Sequence, residues 1–173
     1  MKKTFLMLGF AAAFNFCAAE ANAAADTLLS DLNAKNVSAM QQRRSLNEKL
    51  FRTVQDKSAS AEQVSALLKQ GAQVNFLTSD TLGRTVLMAA VDSNASDSVI
   101  AVLINAKADV NAVTLPGENG LLGGKSVLEF AVKANRPEVV KMLVKAGAKD
   151  KDGKALDLAL FLGYDKLVFL LKR

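Results

Sequence analysis

The chain contains no histidine and no tryptophan, and it has one cysteine, one tyrosine and two prolines among 173 residues. Histidine is the commonest general base and metal ligand, so its absence excludes serine–histidine and cysteine–histidine catalytic pairs and the usual zinc sites. Every pair of carboxylates that could act as a catalytic acid and base lies where the sequence repeats described below would place it anyway. We therefore predict no enzymatic activity, no catalytic residue, no metal and no cofactor.

The N-terminus has the pattern of a targeting segment. Two lysines precede the apolar run FLMLGFAAAFNFCAA, and the small residues Ala21-Asn22-Ala23 follow it. This order is typical of a secretory signal peptide, and the run is short for a membrane span. We predict a signal peptide over residues 1–23, cleavage after Ala23, export to a periplasm and no stable membrane insertion. A retained N-terminal anchor is the alternative.

Removal of that segment changes the chemistry of what is left. The cysteine, Cys17, lies within it, so the remainder has neither a disulfide nor a free thiol. The formal net charge falls from +5 to +4, because Lys2, Lys3 and Glu20 are lost. The charges are spread along the chain, which indicates ordinary solubility and predicts no nucleic-acid partner.

Two sequence motifs recur along the chain. The first occurs in three segments, namely ALLKQGAQVNF at 66–76, VLINAKADVNA at 102–112 and MLVKAGAKDKD at 142–152. The second lies between them, as GRTVLMAA at 83–90, GKSVLEFA at 124–131 and GKALDLAL at 153–160. The alanines of the first motif are 36 and 40 residues apart. Periods of this length are typical of helical repeat arrays, in which neighbouring units bury each other's apolar faces.

These motifs resemble the ankyrin-repeat family from Leu46 to Arg173. Agreement is best in the second repeat, whose turn, helices and exit follow the family pattern at Asp80, Gly83, Thr85, Leu87, Ala89, Ala90, Val99, Leu103, Ile104, Asp109, Val110 and Asn111. The resemblance implies an all-α solenoid over residues 46–173, with about four helix–turn–helix repeats and short hairpin fingers between them.

Residues 24–45 match no repeat. Their apolar residues have the spacing of a helical stripe, formed by Leu28, Leu29, Leu32, Val37 and Met40. Terminal units of repeat arrays need a covering element, so we predict an N-terminal helical cap on the first repeat.

The chain departs from the family pattern where the first helices of the repeats begin. Three residues replace the family's proline and three its histidine, namely Val86, Val127 and Ala155, and Met88, Glu129 and Asp157. Because threonine–histidine hydrogen bonds are then missing, we expect slightly looser first helices. Other local signals agree with the helices: Ser60 with Gln63 predicts a capping box, Gly71 a left-handed turn and Pro137 a helix start.

The glycine-rich run PGENGLLGGKS at 116–126 ends like a phosphate-binding loop. In such a loop the first glycine would fall at Asn119, and a buried strand would precede it, but neither condition is met. We therefore predict no nucleotide binding at Lys125. The run instead lengthens one finger, because Asn111 to Gly124 spans 13 positions whereas Asn75 to Gly83 spans 8.

Both fingers carry apolar side chains, which are unfavourable in water on a loop unless something covers them. We predict that fingers and first helices bind a partner protein through Phe76, Leu77, Leu82, Leu115, Glu118, Asn119, Leu121, Leu122, Glu129 and Lys133. The finger over 113–123 is expected to be central to this binding, whereas Phe130 is expected in the core. Two alternatives stay open: the finger leucines fold back onto the first helices, and Glu129 pairs with Lys133 one helical turn away.

The resemblance to ankyrin repeats also implies a function, because ankyrin stacks bind proteins with their fingers and first helices. A small exported stack with one enlarged finger looks like the bacterial ankyrin proteins of the immunity or self-protection type. That likeness implies binding and inhibition of an exported lytic enzyme, such as a peptidoglycan hydrolase. An accessory scaffold for a periplasmic enzyme, for example one in peroxide defence, is the alternative. We expect the free protein to be a monomer.

Overall fold

The computed structural model describes the backbone of residues 4–78, 83–115 and 123–172, and the side chains from residue 29 onward within those ranges. This part of the chain forms eight α-helices: α1 (Thr4–Gln55), α2 (Ala61–Lys69), α3 (Val86–Asp92), α4 (Asp97–Asn105), α5 (Val127–Lys133), α6 (Pro137–Lys145), α7 (Lys154–Phe161) and α8 (Asp165–Leu171). Within these ranges no β-strand forms, and two isolated bridges join Leu77 to Thr85 and Val113 to Ser126. The predicted all-α class is confirmed.

The chain divides into two compact units, Met1–Gln42 and Arg43–Arg173. Residues 24–45 are helical throughout, as part of α1. The side chains of Leu29, Leu32, Val37 and Met40 are between 54% and 66% exposed, and that of Leu28 lies outside the described side chains. The cap over 24–45 and the signal peptide over 1–23 stay predictions. None of the described helices is long and apolar enough to cross a membrane.

The second unit is a stack of antiparallel helix pairs. α3 packs against α4, α5 against α6, and α7 against α8. Successive pairs pack side by side, so that α3, α5 and α7 form one row of first helices. The second helices α2, α4, α6 and α8 form the other row. Each pair therefore covers the apolar face of the next, as the predicted solenoid requires.

The hydrophobic core runs along the stack between the two rows of helices. Leu50 and Val54, one helical turn apart near the end of α1, are fully buried in it. The second helices bury Val99, Val139 and Leu167 at equivalent positions. The alanines that define the repeat in the sequence are also buried, at Ala72, Ala108 and Ala148. The repeated motif is thus a pattern of burial, since each copy supplies the same contacts to its neighbours.

Local hydrogen bonds determine where several helices begin and end. The Ser60 hydroxyl accepts from the N–H of Gln63, and the Gln63 side chain accepts from the N–H of Ser60, so the predicted capping box is confirmed. Pro137 is the first residue of α6, where its missing N–H leaves no bond unmade. Gly71, just after α2, has a φ of +100° and makes the predicted left-handed turn.

Side-chain hydrogen bonds cap the starts of the first helices. The Thr85 hydroxyl accepts from the N–H of Met88 at 3.3 Å. Ser126 and Glu129 form a second capping box at the start of α5. The Asp150 carboxylate accepts from two N–H groups at the start of α7, at 3.1 and 2.8 Å. These bonds satisfy N–H groups at the starts of α3, α5 and α7, and the expectation of slightly looser first helices stays a prediction.

Asparagine side chains tie each repeat to the next. The Asn75 amide accepts from the N–H of Asp109 at 2.8 Å and donates to the carbonyl of Lys107 at 3.2 Å. Asn111 makes the same pair of bonds to the loop of the following repeat, at 2.9 and 3.1 Å. Asn47 near the end of α1 accepts a backbone N–H from the loop after α2 at 2.7 Å. This asparagine ladder satisfies loop backbone groups that the helices leave unpaired.

Candidate functional site

Two hairpin fingers form where the sequence predicts them, after α2 and after α4. In the first finger, the N–H of Thr78 donates to the carbonyl of Arg84 at 3.0 Å. In the second, the N–H of Thr114 donates to the carbonyl of Lys125, and the N–H of Gly124 donates to the carbonyl of Thr114, both at 3.0 Å. Thr78 and Thr114 are buried. Each finger is therefore anchored at its base by a buried threonine.

The apolar residues at the finger bases differ in exposure. Leu77 and Leu115 are 49% and 51% exposed, whereas Phe76 is partly buried against the core. A Cβ atom built on Gly83 would lie 2.5 Å from Cδ1 of Leu115, so this leucine packs on the neighbouring finger. The two fingers therefore contact each other. The other finger residues of the predicted binding surface lie outside the described part of the chain: Leu82, Glu118, Asn119, Leu121 and Leu122.

The end of the glycine-rich run is a repeat start in the structure. The N–H groups of Gly124 and Lys125 donate to the carbonyl and the hydroxyl of Thr114, both at 3.0 Å. The N–H of Ser126 donates to the Glu129 carboxylate at 2.7 Å. A phosphate loop needs free N–H groups to hold phosphate oxygens. In this segment the N–H groups of Gly124, Lys125 and Ser126 already donate to other groups of the protein. The Glu129 carboxylate accepts the last of these bonds, where a phosphate would otherwise bind.

Glu129 and Lys133 do not pair with each other, so that alternative from the sequence is wrong. The Glu129 carboxylate caps its own helix, because the backbone N–H of Ser126 is the nearer donor. Lys133 Nζ lies 3.8 Å from Asp92 of α3, and the second oxygen of Asp92 accepts from Arg84 at 3.0 Å. An exposed ion pair stabilises a protein by at most ~1 kcal/mol, so these pairs contribute little to the free energy of unfolding. Their main effect is on the charge of the surface.

A groove of ≈610 Å³ lies where α5 and α7 pack side by side. Its apolar lining comes from Phe130, Leu158, Phe161 and Leu162. Its charged lining comes from Lys125, Glu129, Lys133, Lys154 and Asp157. Phe130 is 7% exposed and belongs to the core, as predicted, whereas Phe161 is 87% exposed. The groove therefore contains one buried aromatic ring, that of Phe130, and one solvent-exposed aromatic ring, that of Phe161.

The contribution of α7 to this groove was missed in the sequence, although a signal is present. Helical spacing places Lys154, Asp157 and Phe161 on one face of α7, since residues three and four apart are neighbours. The buried residues of α7 are Ala155 and Ala159, which lie on the opposite side of the helix. The signal for this surface in the sequence is an aromatic residue, Phe161, that does not fall on the buried face of its helix.

Among the described residues, shifted pKa values occur at Asp56, in the turn after α1, and at Glu62, in the first turn of α2. The hydroxyl and N–H of Ser58 donate to Asp56 at 2.7 and 2.9 Å, which lowers the pKa of that carboxyl. A hydrogen bond from the Ser60 side chain likewise lowers the pKa of Glu62. Neither residue lines the groove. Within the described ranges, no cluster of three or more acidic or cysteine side chains could hold a metal ion.

The paired helices, the hairpin fingers and the asparagine ladder together form a repeat array. Residues 82–115 match the ankyrin repeat family. The matched segment contains α3 and α4 and reaches the base of the second finger, and it includes all but Asp80 of the second-repeat residues that carry the resemblance in the sequence. No curated protein sequence matches the chain. Ankyrin repeats usually act as non-catalytic modules, and solenoids of this kind bind other proteins with an extended surface.

Proposed function

We propose that this protein is an ankyrin-repeat binding module that recognises another protein with its first helices and fingers. The observation that carries the proposal is the groove between α5 and α7, where Phe161 is 87% exposed. A large aromatic side chain in water is unfavourable, and aromatic residues are common anchors of protein–protein interfaces. Leu77, Val113 and Leu115 add half-exposed apolar area at the finger bases.

The biological role that we infer is inhibition of an exported lytic enzyme, such as a peptidoglycan hydrolase. The signal peptide predicted over residues 1–23 supports a periplasmic location. The long finger between Asn111 and Gly124 supports a mode of binding in which a loop enters the cleft of an enzyme. Inhibition needs a preorganised surface and no chemistry from the inhibitor, which agrees with a chain that has no histidine.

The test begins with capture of the partner and ends with an enzyme assay. The purified protein is immobilised, exported proteins are passed over it, and bound proteins are identified and purified. The captured enzyme is then assayed on peptidoglycan with increasing amounts of the protein. We expect loss of hydrolysis at one equivalent. Binding that leaves hydrolysis unchanged or raises activity would contradict inhibition and favour the accessory scaffold.

A pair of charge reversals in the same repeat tests whether first helices form the interface. Lys133→Glu changes the groove on α5, and we expect it to weaken capture ~10-fold, or about 1.4 kcal/mol. Lys145→Glu makes the same change at the end of α6, outside the groove, and serves as the control. Equal loss in both variants would indicate a general effect of charge, and no loss in either would place the interface elsewhere.

The finger is tested separately. Leu121→Asp combined with Leu122→Asp introduces two charges into the finger over 113–123, which we predict to be central to binding. Truncating an interface anchor commonly costs ~2 kcal/mol, so affinity should fall at least ~30-fold. The midpoint of thermal unfolding should barely change. A large drop in that midpoint would mean that these leucines belong to the core, and unchanged affinity would exclude them from the interface.

A further inference from the structure

We infer that the groove between α5 and α7 binds an acidic segment of the partner that carries one aromatic or aliphatic anchor residue. This inference rests on the proposed function and specifies the chemistry of the partner. It follows from the arrangement of charge and of apolar surface in the groove.

The positive charges of the groove face solvent. The side chains of Lys133 and Lys154 are 68% and 55% exposed. Their nearest carboxylates, Asp92 and Asp152, lie 3.8 and 3.5 Å away, so the ion pairs are loose. Exposed pairs of this kind stabilise a protein little, and the ammonium groups stay available to an incoming anion. Lys125 contributes a third ammonium group to the same lining.

Two carboxylates of this region, those of Glu129 and Asp150, accept hydrogen bonds from the backbone. Glu129 accepts from the N–H of Ser126, and Asp150 accepts from N–H groups at the start of α7. Backbone N–H groups of the protein therefore partly stabilise these two negative charges. An adjoining cleft of ≈220 Å³ has a balanced lining of three lysines and three carboxylates, namely Lys149, Lys151 and Lys154, and Glu129, Asp150 and Asp152. In the groove itself, Lys125, Lys133 and Lys154 outnumber the carboxylates of Glu129 and Asp157 by one. This excess of positive charge favours an acidic segment over a basic one.

The apolar lining adds a second requirement. A groove of ≈610 Å³ has the volume of a small ligand site and accepts one or two large side chains. An acidic segment without an apolar residue would leave Phe161 in water, and an apolar segment without acidic residues would leave the lysines without an anion. Both surfaces are covered when one segment supplies an anchor residue between acidic residues.

A membrane surface fits these features less well than a peptide. The apolar residues line a concave groove, whereas a lipid surface needs apolar side chains that extend outward. Glu129 and Asp157 lie in the same lining and would have to enter an anionic headgroup layer. A peptide places its charges one by one beside the lysines. We therefore assign the groove to a protein segment.

The experiment measures binding of synthetic peptides to the purified protein by fluorescence anisotropy. The probe is a labelled peptide of aspartate and glutamate residues around a central phenylalanine. One comparison peptide replaces the acidic residues by lysine, and another replaces the phenylalanine by serine. We expect the probe to bind and each comparison peptide to bind at least ~10-fold more weakly. Absence of probe binding, or equal binding of either comparison peptide, would overturn the inference.

Two phenylalanines of the last repeat provide a matched pair of variants. Phe161→Ser removes the exposed ring of the groove, and we expect it to weaken probe binding ~10-fold. Phe169→Ser removes a ring that is 62% exposed on α8 and does not line the groove, so binding should be unchanged. Lys154→Glu should act like Phe161→Ser. Vesicles of phosphatidylglycerol are tested in parallel, and vesicle binding that depends on Phe161 would overturn the inference in favour of a lipid surface.

The captured partner distinguishes failure of this inference from failure of the proposed function. If the partner binds the unchanged protein and the Phe161→Ser variant equally well, the inference about the groove is wrong and the binding function stands. If no partner binds the unchanged protein specifically, the proposed function fails and the inference fails with it. Loss of the partner in the Phe161→Ser variant but not in the Phe169→Ser variant supports both.

Discussion

The second and fourth repeats have the same architecture but different burial. In α3 of the second repeat, Val86, Leu87, Met88, Ala89, Ala90 and Val91 are all buried. In α7 of the fourth repeat, only Ala155 and Ala159 are buried, and Leu160 and Phe161 are 53% and 87% exposed. The asparagine ladder also differs, because its bonds involve Asn75 and Asn111 but no residue of α7 or α8.

The difference lies in how much of each first helix is covered. Six of the seven residues of α3 are buried but two of the eight residues of α7, so α7 keeps an exposed face. The fourth repeat has exposed apolar residues on both of its helices, namely Leu160 and Phe161 on α7 and Phe169 on α8. We conclude that the second repeat serves chiefly to stabilise the stack, and that the fourth repeat keeps surface available for binding.

The largest expected effect comes from matched leucines in the second helices of the two repeats. Leu103 of α4 is fully buried, and Leu171 occupies the same position in α8 but is only partly buried. Leu103→Ala should lower the free energy of unfolding by ~2–5 kcal/mol, because it leaves a cavity in the core. Leu171→Ala should lower it by ~1 kcal/mol. Urea denaturation followed by circular dichroism measures both, and equal losses would contradict the comparison.

A smaller effect is expected at two glycines with positive φ. Gly83 lies three residues before α3 and Gly153 is the residue before α7, with φ values of +53° and +69°. Alanine at either position has an unfavourable backbone, which costs ~1–2 kcal/mol. Only at Gly83 would the new Cβ also overlap Leu115, and overpacking adds ~1–3 kcal/mol. Gly83→Ala should therefore destabilise the protein more than Gly153→Ala.

Contact between the fingers can be separated from backbone strain by a double variant. Leu115→Ala removes the side chain that the Gly83→Ala methyl would meet. The double variant should recover the steric part of the loss and keep the backbone part, so that it behaves like Gly153→Ala. If Leu115→Ala recovers nothing, the contact between the two fingers does not form in solution.

The smallest expected effect concerns the asparagine ladder. Asn111→Ala removes two hydrogen bonds between loops, at 2.9 and 3.1 Å, and should cost ~1–2 kcal/mol. Asn105→Ala changes an exposed asparagine at the end of α4 that makes no such bonds, and should cost less than ~0.5 kcal/mol. Thermal unfolding of the two variants provides the measurement. Similar losses would show that the ladder contributes little.

The sequence predicted the parts of this fold that depend on burial within a repeat. The positions of α3, α4, α5 and α6 follow from recurring apolar residues, because each copy of the motif meets the same neighbours. The Ser60–Gln63 capping box was predicted from its spacing. The spacing of Ser126 and Glu129 carries the same signal, but pairing of Glu129 with Lys133 was weighed instead. A bond to a backbone N–H prevailed over an exposed ion pair, which is worth little.

The candidate site was less predictable, because exposure depends on a residue's place in the stack. A repeat motif treats all copies as equivalent, so it does not show that Phe161 is exposed on α7. The asparagine ladder joins residues 26 to 38 positions apart, beyond the range of local patterns. Only Leu77, Leu115 and Phe76 of the predicted finger residues lie in the described ranges, and the first two are half-exposed.

Hydrogen exchange with and without the captured partner tests the central claim most directly, namely that binding uses the first helices of the last two repeats. Amide exchange is followed by mass spectrometry over the whole chain. We expect the partner to add protection in α5, in α7 and in the second finger, and to leave α4 and α6 unchanged. Protection confined to the second helices, or spread evenly over all repeats, would contradict the account.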